Sequence, residues 1–226
     1  MPSESQGKRL PVSASESHAP HRCTSCTEEY LQVPYLCHSC GSLFRPPAGL
    51  DHFGRFGLPV KFQLDFEELE RRYLDLSRRL HPDKMVRAPA AVQSRALVLS
   101  SQLNESHRIL ADERARADYL VTLYGGPSAD QEKKVPQAFL VEQMDLREEL
   151  EDAEDDPQAL EALLDRVAPE EMHSLQRVRE LFAGDSLPDA ATLVAIRREL
   201  NQLKYWTNLS SEIRHHLQGA GGPCIP

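Results

Sequence analysis

No stretch of this sequence is apolar for the roughly 18–20 residues that a membrane-crossing helix needs, so bilayer spanning is excluded as an expectation. Positive charge is also in deficit. Twenty-six Lys and Arg stand against 35 Asp and Glu, a formal net charge of −9. The broad basic field behind non-specific nucleic-acid binding is therefore missing, and proteins become the expected partners. Residues 1–22, MPSESQGKRLPVSASESHAPHR, lack an apolar segment for secretion. With Glu4, Glu16 and few arginines they also read poorly as a transit peptide, so no import signal is expected. The rest of the composition, 27% charged and 40% hydrophobic over 226 residues, is that of a water-soluble chain with one or two domains.

Unpaired cysteine is scarce as well. Four of the five cysteines fall in two C-x-x-C pairs, which favours metal or redox chemistry in a reducing compartment over an extracellular disulfide framework. The fifth, Cys224, lies in GGPCIP and lacks the C-a-a-X arrangement of a prenylation site. Charge is uneven along the chain: Arg71, Arg72, Arg78 and Arg79 cluster, whereas EELEDAEDD at 148–156 is strongly acidic. Two faces of opposite sign suggest two different partners.

Period-two alternation is absent too, and from residue 65 onward apolar residues recur at three and four, which predicts an all-α chain. A helix should begin at Asp65, a capping residue, carry Leu69, Tyr73, Leu76 and Leu80 as core, and stop at His81-Pro82. A second, antiparallel helix should run from about 90 to 111 with Ala96, Leu99, Leu103 and Leu110 on one side. A third, ERARADYLVTLYG, should end at Gly125-Gly126. After a connector, 126–135, three helical stretches near 136–155, 157–183 and 188–217 predict a bundle, with Pro157 and Pro188 near helix starts. Residues 1–20 read as disordered, FRPPAGL at 44–50 as a linker with a boundary near residue 49, and 218–226 as a flexible tail.

Cys23, Cys26, Cys37 and Cys40 supply four thiolates at the spacing of one tetrahedral Zn2+ site, with Gly41 easing the second turn and EEYLQVPYL forming a small hairpin between the pairs. Such a closed site is structural, leaving no open position for catalysis. Redox dithiols and four unrelated thiols are the competing readings. His21 and His38 are read as bystanders.

His81-Pro82-Asp83 alone reads as a helix terminator. Its setting says more: it joins a helix with a basic outer face to a long antiparallel partner, preceded by LDHFGRFGLP at 50–59. This arrangement resembles the J-domain of DnaJ-type co-chaperones. DHFGRFGLP…FQLD, HPDK, RADYLVTLYG, FLVEQMDLREELEDAE at 139–154 and a terminal LKYW, in this order, closely resemble the HscB family of iron–sulfur cluster co-chaperones over about residues 50–217. The four-cysteine segment resembles an element of animal members.

The resemblance implies an L-shaped molecule with a zinc-ribbon-like element at 21–48, a J-domain at 49–125 and a C-terminal three-helix bundle at 136–217. It implies a DnaK-class heat-shock ATPase as the partner of His81, Pro82, Asp83, Lys84, Arg71, Arg72, Arg78 and Arg79. It implies an iron–sulfur scaffold protein as the partner of Leu140, Val141, Met144, Asp145, Glu148 and Tyr205. No catalysis of its own is expected; the bundle would bring the scaffold, and the J-domain would deliver it and accelerate ATP hydrolysis for cluster transfer. Cluster-recipient proteins and bundle self-association are left open, and the implied compartment is the mitochondrial matrix, with the cytoplasm as the other. Leu140 and Met144 could instead be bundle core, and a general folding J-protein is the alternative function. An acid–base pair of His81 and Asp83 is disfavoured by the rigid proline between them. Ser106-His107 stands where the family carries a small residue and an aromatic, which predicts looser packing there.

Overall fold

In a computed structural model, residues 21–23, 25–30, 37, 39–40, 42–43, 49–184 and 186–220 are described. The expected disorder of 1–20, His38, Gly41, the linker residues 44–48, Cys224 and the tail residues 221–226 lie outside them. The chain divides into two compact units, Met1–Arg116 and Ala117–Pro226.

The first unit opens with two short antiparallel strands, β1 (His21–Arg22) and β2 (Glu29–Tyr30), pairing His21 with Tyr30 and Arg22 with Glu29. Their pairing spans the first cysteine pair. The hairpin expected within EEYLQVPYL falls mostly on residues 31–36, outside the described set. Helix α1 (His52–Phe56) is capped by Asp51, whose Oδ1 accepts from the Gly54 N–H at 2.6 Å, and is closed by Gly57 at φ 63°, a conformation glycine adopts without strain. Helix α2 (Phe66–Leu80) starts where the Asp65 carboxylate accepts from Glu68 N–H, as its sequence predicts.

Helix α3 (Ala90–Ala111) packs antiparallel to α2 and also against α1, with Ala96, Leu99, Leu103 and Leu110 of α3, Leu69 and Leu80 of α2 and Phe53 and Phe56 of α1 all buried. Each fully buried Leu contributes on the order of 1.5–3 kcal/mol. Tyr73 and Leu76, expected as core, are only half-buried. Tyr73 is an apolar ring with a polar tip: its ring stacks on His107 at 4.0 Å and its hydroxyl donates to Asn104 at 3.2 Å, which holds it at the boundary.

The expected loosening at Ser106-His107 is met by polar contacts instead. Ser106 is fully buried; its hydroxyl donates to Gln102 O at 2.8 Å and accepts from His52 Nδ1 at 2.8 Å. His107 bonds Glu70 through Nε2 while stacking on Tyr73. Near the end of this unit the buried Arg116 donates to Phe62 O at 2.9 Å and to Leu110 O, with its guanidinium 5.2 Å from the Phe62 ring centre, so the buried charge is compensated by carbonyls and a π-face.

Helix α4 (Glu113–Leu123), started by Asp112 accepting from Ala115 N–H, crosses the division between the units. It closes at Gly125, φ 81°, and Gly126, where a Cβ would come within 2.8 Å of Val121 Cγ1 and 2.9 Å of Leu193 Cβ. Only glycine fits the second position. The second unit then holds α5 (Gln137–Asp152), α6 (Pro157–Leu181) and α7 (Ala190–Ala220), the last reaching into the expected tail. Asp156 and Asp189 cap α6 and α7 through the N–H groups of Gln158 and Thr192. Phe139, Leu146, Leu150, Leu160, Leu163, Val167, Trp206, Leu209 and Ile213 form the bundle core. The all-α architecture with a C-terminal three-helix bundle is as expected. Among the described residues, no helix is long and apolar enough to cross a membrane.

Candidate metal and partner-binding sites

The four sulfurs of Cys23, Cys26, Cys37 and Cys40 all lie within 4.8 Å of one another. The closest pairs join the two motifs: Cys23 to Cys40 at 3.6 Å and Cys26 to Cys37 at 3.4 Å. Four sulfurs about 2.3 Å from a central Zn2+ would sit about 3.8 Å apart at tetrahedral angles, so the donor set fits one structural ion. Backbone N–H groups already point at two of the sulfurs, from Ser25 to Cys23 and from Cys40 to Cys37, each at 3.4 Å. Thr27, directly after the first pair, takes the left-handed conformation at φ 62°. Gly41 follows the second pair in the same sequence position.

Crowding thiols together opposes their ionisation. At Cys26 the largest influence, a hydrogen bond from the Glu28 backbone, favours the thiolate, yet Cys37, burial, Cys40 and Cys23 outweigh it and push the thiol up to about 12. The Ser42 hydroxyl and backbone hold Cys40 below the ordinary thiol value. A bound cation reverses the penalty by stabilising all four thiolates.

The tripeptide sits at the junction of α2 and α3. His81 ends α2 in an extended conformation, φ −57° and ψ 131°, as a residue before proline does. Pro82 opens a single 3-10 turn, Pro82–Met85. The Asp83 N–H donates to His81 Nδ1 at 3.3 Å, so the imidazole caps the turn. The side chains remain 58% exposed for His81 and 86% for Asp83, which leaves both to a partner.

The four arginines of α2 differ. Arg71 forks onto Glu68 with bonds of 2.7 and 2.6 Å, and Arg79 pairs with Asp75 at 3.0 Å. Glu68 is held below the usual carboxylate range by Arg71 first and Arg72 second. Arg72 is half-buried; besides Glu68 it donates to the Phe56 and Gly57 carbonyls at 2.5 and 2.7 Å, latching the end of α1 to α2. Arg78 and Lys84 are exposed and have no acidic partner among the described residues.

On α5 the inward residues are Phe139, Gln143, Leu146 and Leu150, leaving Leu140, Val141 and Met144 on the outside at 37, 51 and 63% exposure. Asp145 and Glu148 are exposed beside them, and helical spacing of 140/144, 141/145 and 144/148 makes one mixed stripe. The alternative of bundle core does not hold for Leu140 and Met144. Tyr205 of α7 is half-buried, its ring edge-on to Phe139 at 5.8 Å. Arg147, next to the stripe, turns to Glu212 of α7 at 3.1 Å.

Two residues escaped the sequence reading. Gln143 occupies an inward position by periodicity, yet its amide is buried with no hydrogen-bond partner among the described residues. Gln93 of α3 bonds the loop after the tripeptide. Neither polar role is visible in a hydrophobicity pattern.

Comparison with known proteins bears on both units. Residues 135–214 match a family described as the HSCB C-terminal oligomerisation domain. The structure of chaperone HscB from Vibrio cholerae is 29% identical, with a TM-score of 0.64, covering 75% of this chain and 99% of that one. The human co-chaperone protein HscB is 22% identical with a TM-score of 0.72, covering 86% of this chain and 98% of its own, a likeness of fold.

Proposed function

We infer from its homology to the HscB chaperones that this chain is an HscB-type co-chaperone, which binds an iron–sulfur scaffold protein and stimulates a DnaK-class ATPase. It has no catalysis of its own. The observation that carries the reading is the coexistence, in one chain, of an exposed His81–Asp83 turn and a matched C-terminal bundle.

The proposed division of labour follows from chemistry. His81 offers an imidazole N–H, Asp83 a carboxylate, and Lys84, Arg71, Arg78 and Arg79 a positive flank suited to an acidic partner surface; Pro82 fixes the backbone between them. Leu140, Val141 and Met144 offer apolar anchors with Asp145, Glu148 and Tyr205 around them, as a protein-docking surface needs. Carrying both on one chain makes the encounter of scaffold and ATPase nearly intramolecular. The proposed domains are 21–48, 49–125 and 136–217, the first holding one Zn2+ on Cys23, Cys26, Cys37 and Cys40. The mitochondrial matrix, transfer to recipient proteins and self-association of the bundle belong to the proposal as well.

Titration of the scaffold protein by calorimetry tests the reading. Wild type and His81→Gln should bind it equally, and Met144→Ala about tenfold or more weakly, the usual loss at an apolar anchor. No heat of binding with any scaffold would leave the general folding J-protein as the better description. Atomic absorption should find one zinc per wild-type chain and a reduced content in Cys23→Ser.

A further inference from the structure

The turn at the tripeptide continues beyond Asp83. Ala88 N–H donates to Met85 O at 2.9 Å, and the Gln93 side-chain amide, reaching from α3, donates to Val86 O at 3.1 Å and Ala88 O at 2.9 Å. One amide thus grips the carbonyls on both sides of Arg87. The segment it holds buries nothing large: Val86 is 68% exposed and Arg87 is exposed.

The distribution of free charge points the same way. Arg71, Arg72 and Arg79 are each engaged by a carboxylate of α2 itself. Among the described residues, Arg78, Lys84 and Arg87 have no such partner. Three cations without such a partner therefore lie at the tripeptide, on the last turn of α2 and along the loop after it, with the exposed Val86 among them.

Resting on the co-chaperone reading above, we propose that the ATPase-facing surface runs past Asp83 through Val86 and Arg87, and that Gln93 is its positioning residue. The partner it fits is an acidic surface of the ATPase with an apolar contact for Val86, continuous with the surface that meets His81 and Asp83. Arg87 supplies long-range attraction that depends on salt. Gln93 supplies pre-organisation: with both carbonyls held, the loop loses less freedom when it docks. These two contributions separate experimentally, because deleting the charge changes the salt dependence and deleting the grip does not.

The test uses the full chain, zinc-loaded, with a DnaK-class iron–sulfur chaperone. Single-turnover ATP hydrolysis is followed against co-chaperone concentration at several NaCl concentrations, with unfolding midpoints measured alongside. Arg87→Ala should raise the half-maximal concentration roughly three- to tenfold and flatten its salt dependence, with the maximal rate kept, as loss of an interface charge does. Gln93→Leu should raise it by a similar factor at an unchanged salt slope. Both variants within about twofold of wild type would overturn the proposal. A lowered unfolding midpoint in Gln93→Leu with a normal half-maximal concentration would reduce Gln93 to a structural residue and overturn its positioning role. If wild type stimulates no better than His81→Gln, it is the co-chaperone reading that falls, and this inference with it.

Discussion

The turn at His81–Asp83 and the stripe at Leu140–Glu148 are both exposed, yet they are exposed for different reasons. The turn is outside because its backbone is fixed: proline sets the entry, the imidazole caps Asp83, and Gln93 grips the far side. The stripe is outside because the inside is full. Phe139, Leu146 and Leu150 already occupy the inward face of α5, so Leu140, Val141 and Met144 have no core left to join. A polar surface is thus made by restraining backbone, and an apolar one by supplying more hydrophobic side chains than the core can accept.

Their supports differ in the same sense. The unit that carries the turn relies on buried or half-buried polar contacts, His52 with Ser106, His107 with Glu70, and Arg116 with two carbonyls. The bundle beneath the stripe has a continuous apolar core, while Ser174 with Glu199 and Arg197 with Asp118 and Pro127 O supply buried polar contacts of that unit. The contrast is sharpest if core and stripe are truncated on the same unit. Leu209→Ala should cost about 2–5 kcal/mol, read as a lower denaturant midpoint. Met144→Ala should stay within about 0.5 kcal/mol of wild type while losing scaffold affinity. A large loss of stability in Met144→Ala would place that side chain in the core and break the comparison.

On the polar unit, Arg72 ties the end of α1 to α2. Removing it as Arg72→Met leaves the Phe56 and Gly57 carbonyls without their donor and Glu68 with Arg71 alone. A loss of about 1–2 kcal/mol is expected, the contribution typical of hydrogen bonds to a charged group discounted for partial exposure. Arg78→Met, which breaks no contact among the described residues, should leave the midpoint nearly unchanged. Back in the bundle, Gln143→Leu should raise stability by about 1 kcal/mol, because an unpartnered buried amide gives way to an apolar group of similar size.

The smallest effect concerns pH. Burial first, then the Arg55 charge, holds His52 below the ordinary imidazole value. The folded state therefore takes up the proton less readily than the unfolded chain. Stability associated with neutral His52 is fully present above the unfolded value near 6.5 and is lost as pH falls from there through the lowered folded value. Its slope must stay under the roughly 1.4 kcal/mol per pH unit that one proton allows. His52→Asn keeps a donor for Ser106 but cannot titrate, so urea midpoints between pH 7.5 and 5.5 should decline less for it than for wild type.

What could be read in advance follows from range along the chain. Asp65, Pro157 and Gly125-Gly126 act on their own neighbours, so helix starts and stops were legible, as was the cysteine spacing. The exposure of Leu140 and Met144 was not decided by periodicity, since i, i+4 spacing describes an inner and an outer face equally well. Nor could it show that Arg72 turns back to α1, that Gln93 grips a loop, or that Ser106 and His107 replace apolar packing with hydrogen bonds. Those contacts join residues brought together only by the folded hairpin. Periodicity likewise predicts Tyr73 as core, whereas its tip is claimed by Asn104 on the neighbouring helix.

The central claim is that one chain couples a scaffold-binding bundle to an ATPase-stimulating turn. It is tested most directly by single-turnover ATP hydrolysis of a DnaK-class iron–sulfur chaperone, measured with and without the scaffold protein. Wild type should stimulate hydrolysis, and further with scaffold; Met144→Ala should lose only the scaffold-dependent increment, and His81→Gln should lose both while still binding scaffold. Equal rates for wild type and His81→Gln would contradict the claim and return the turn to a plain helix stop.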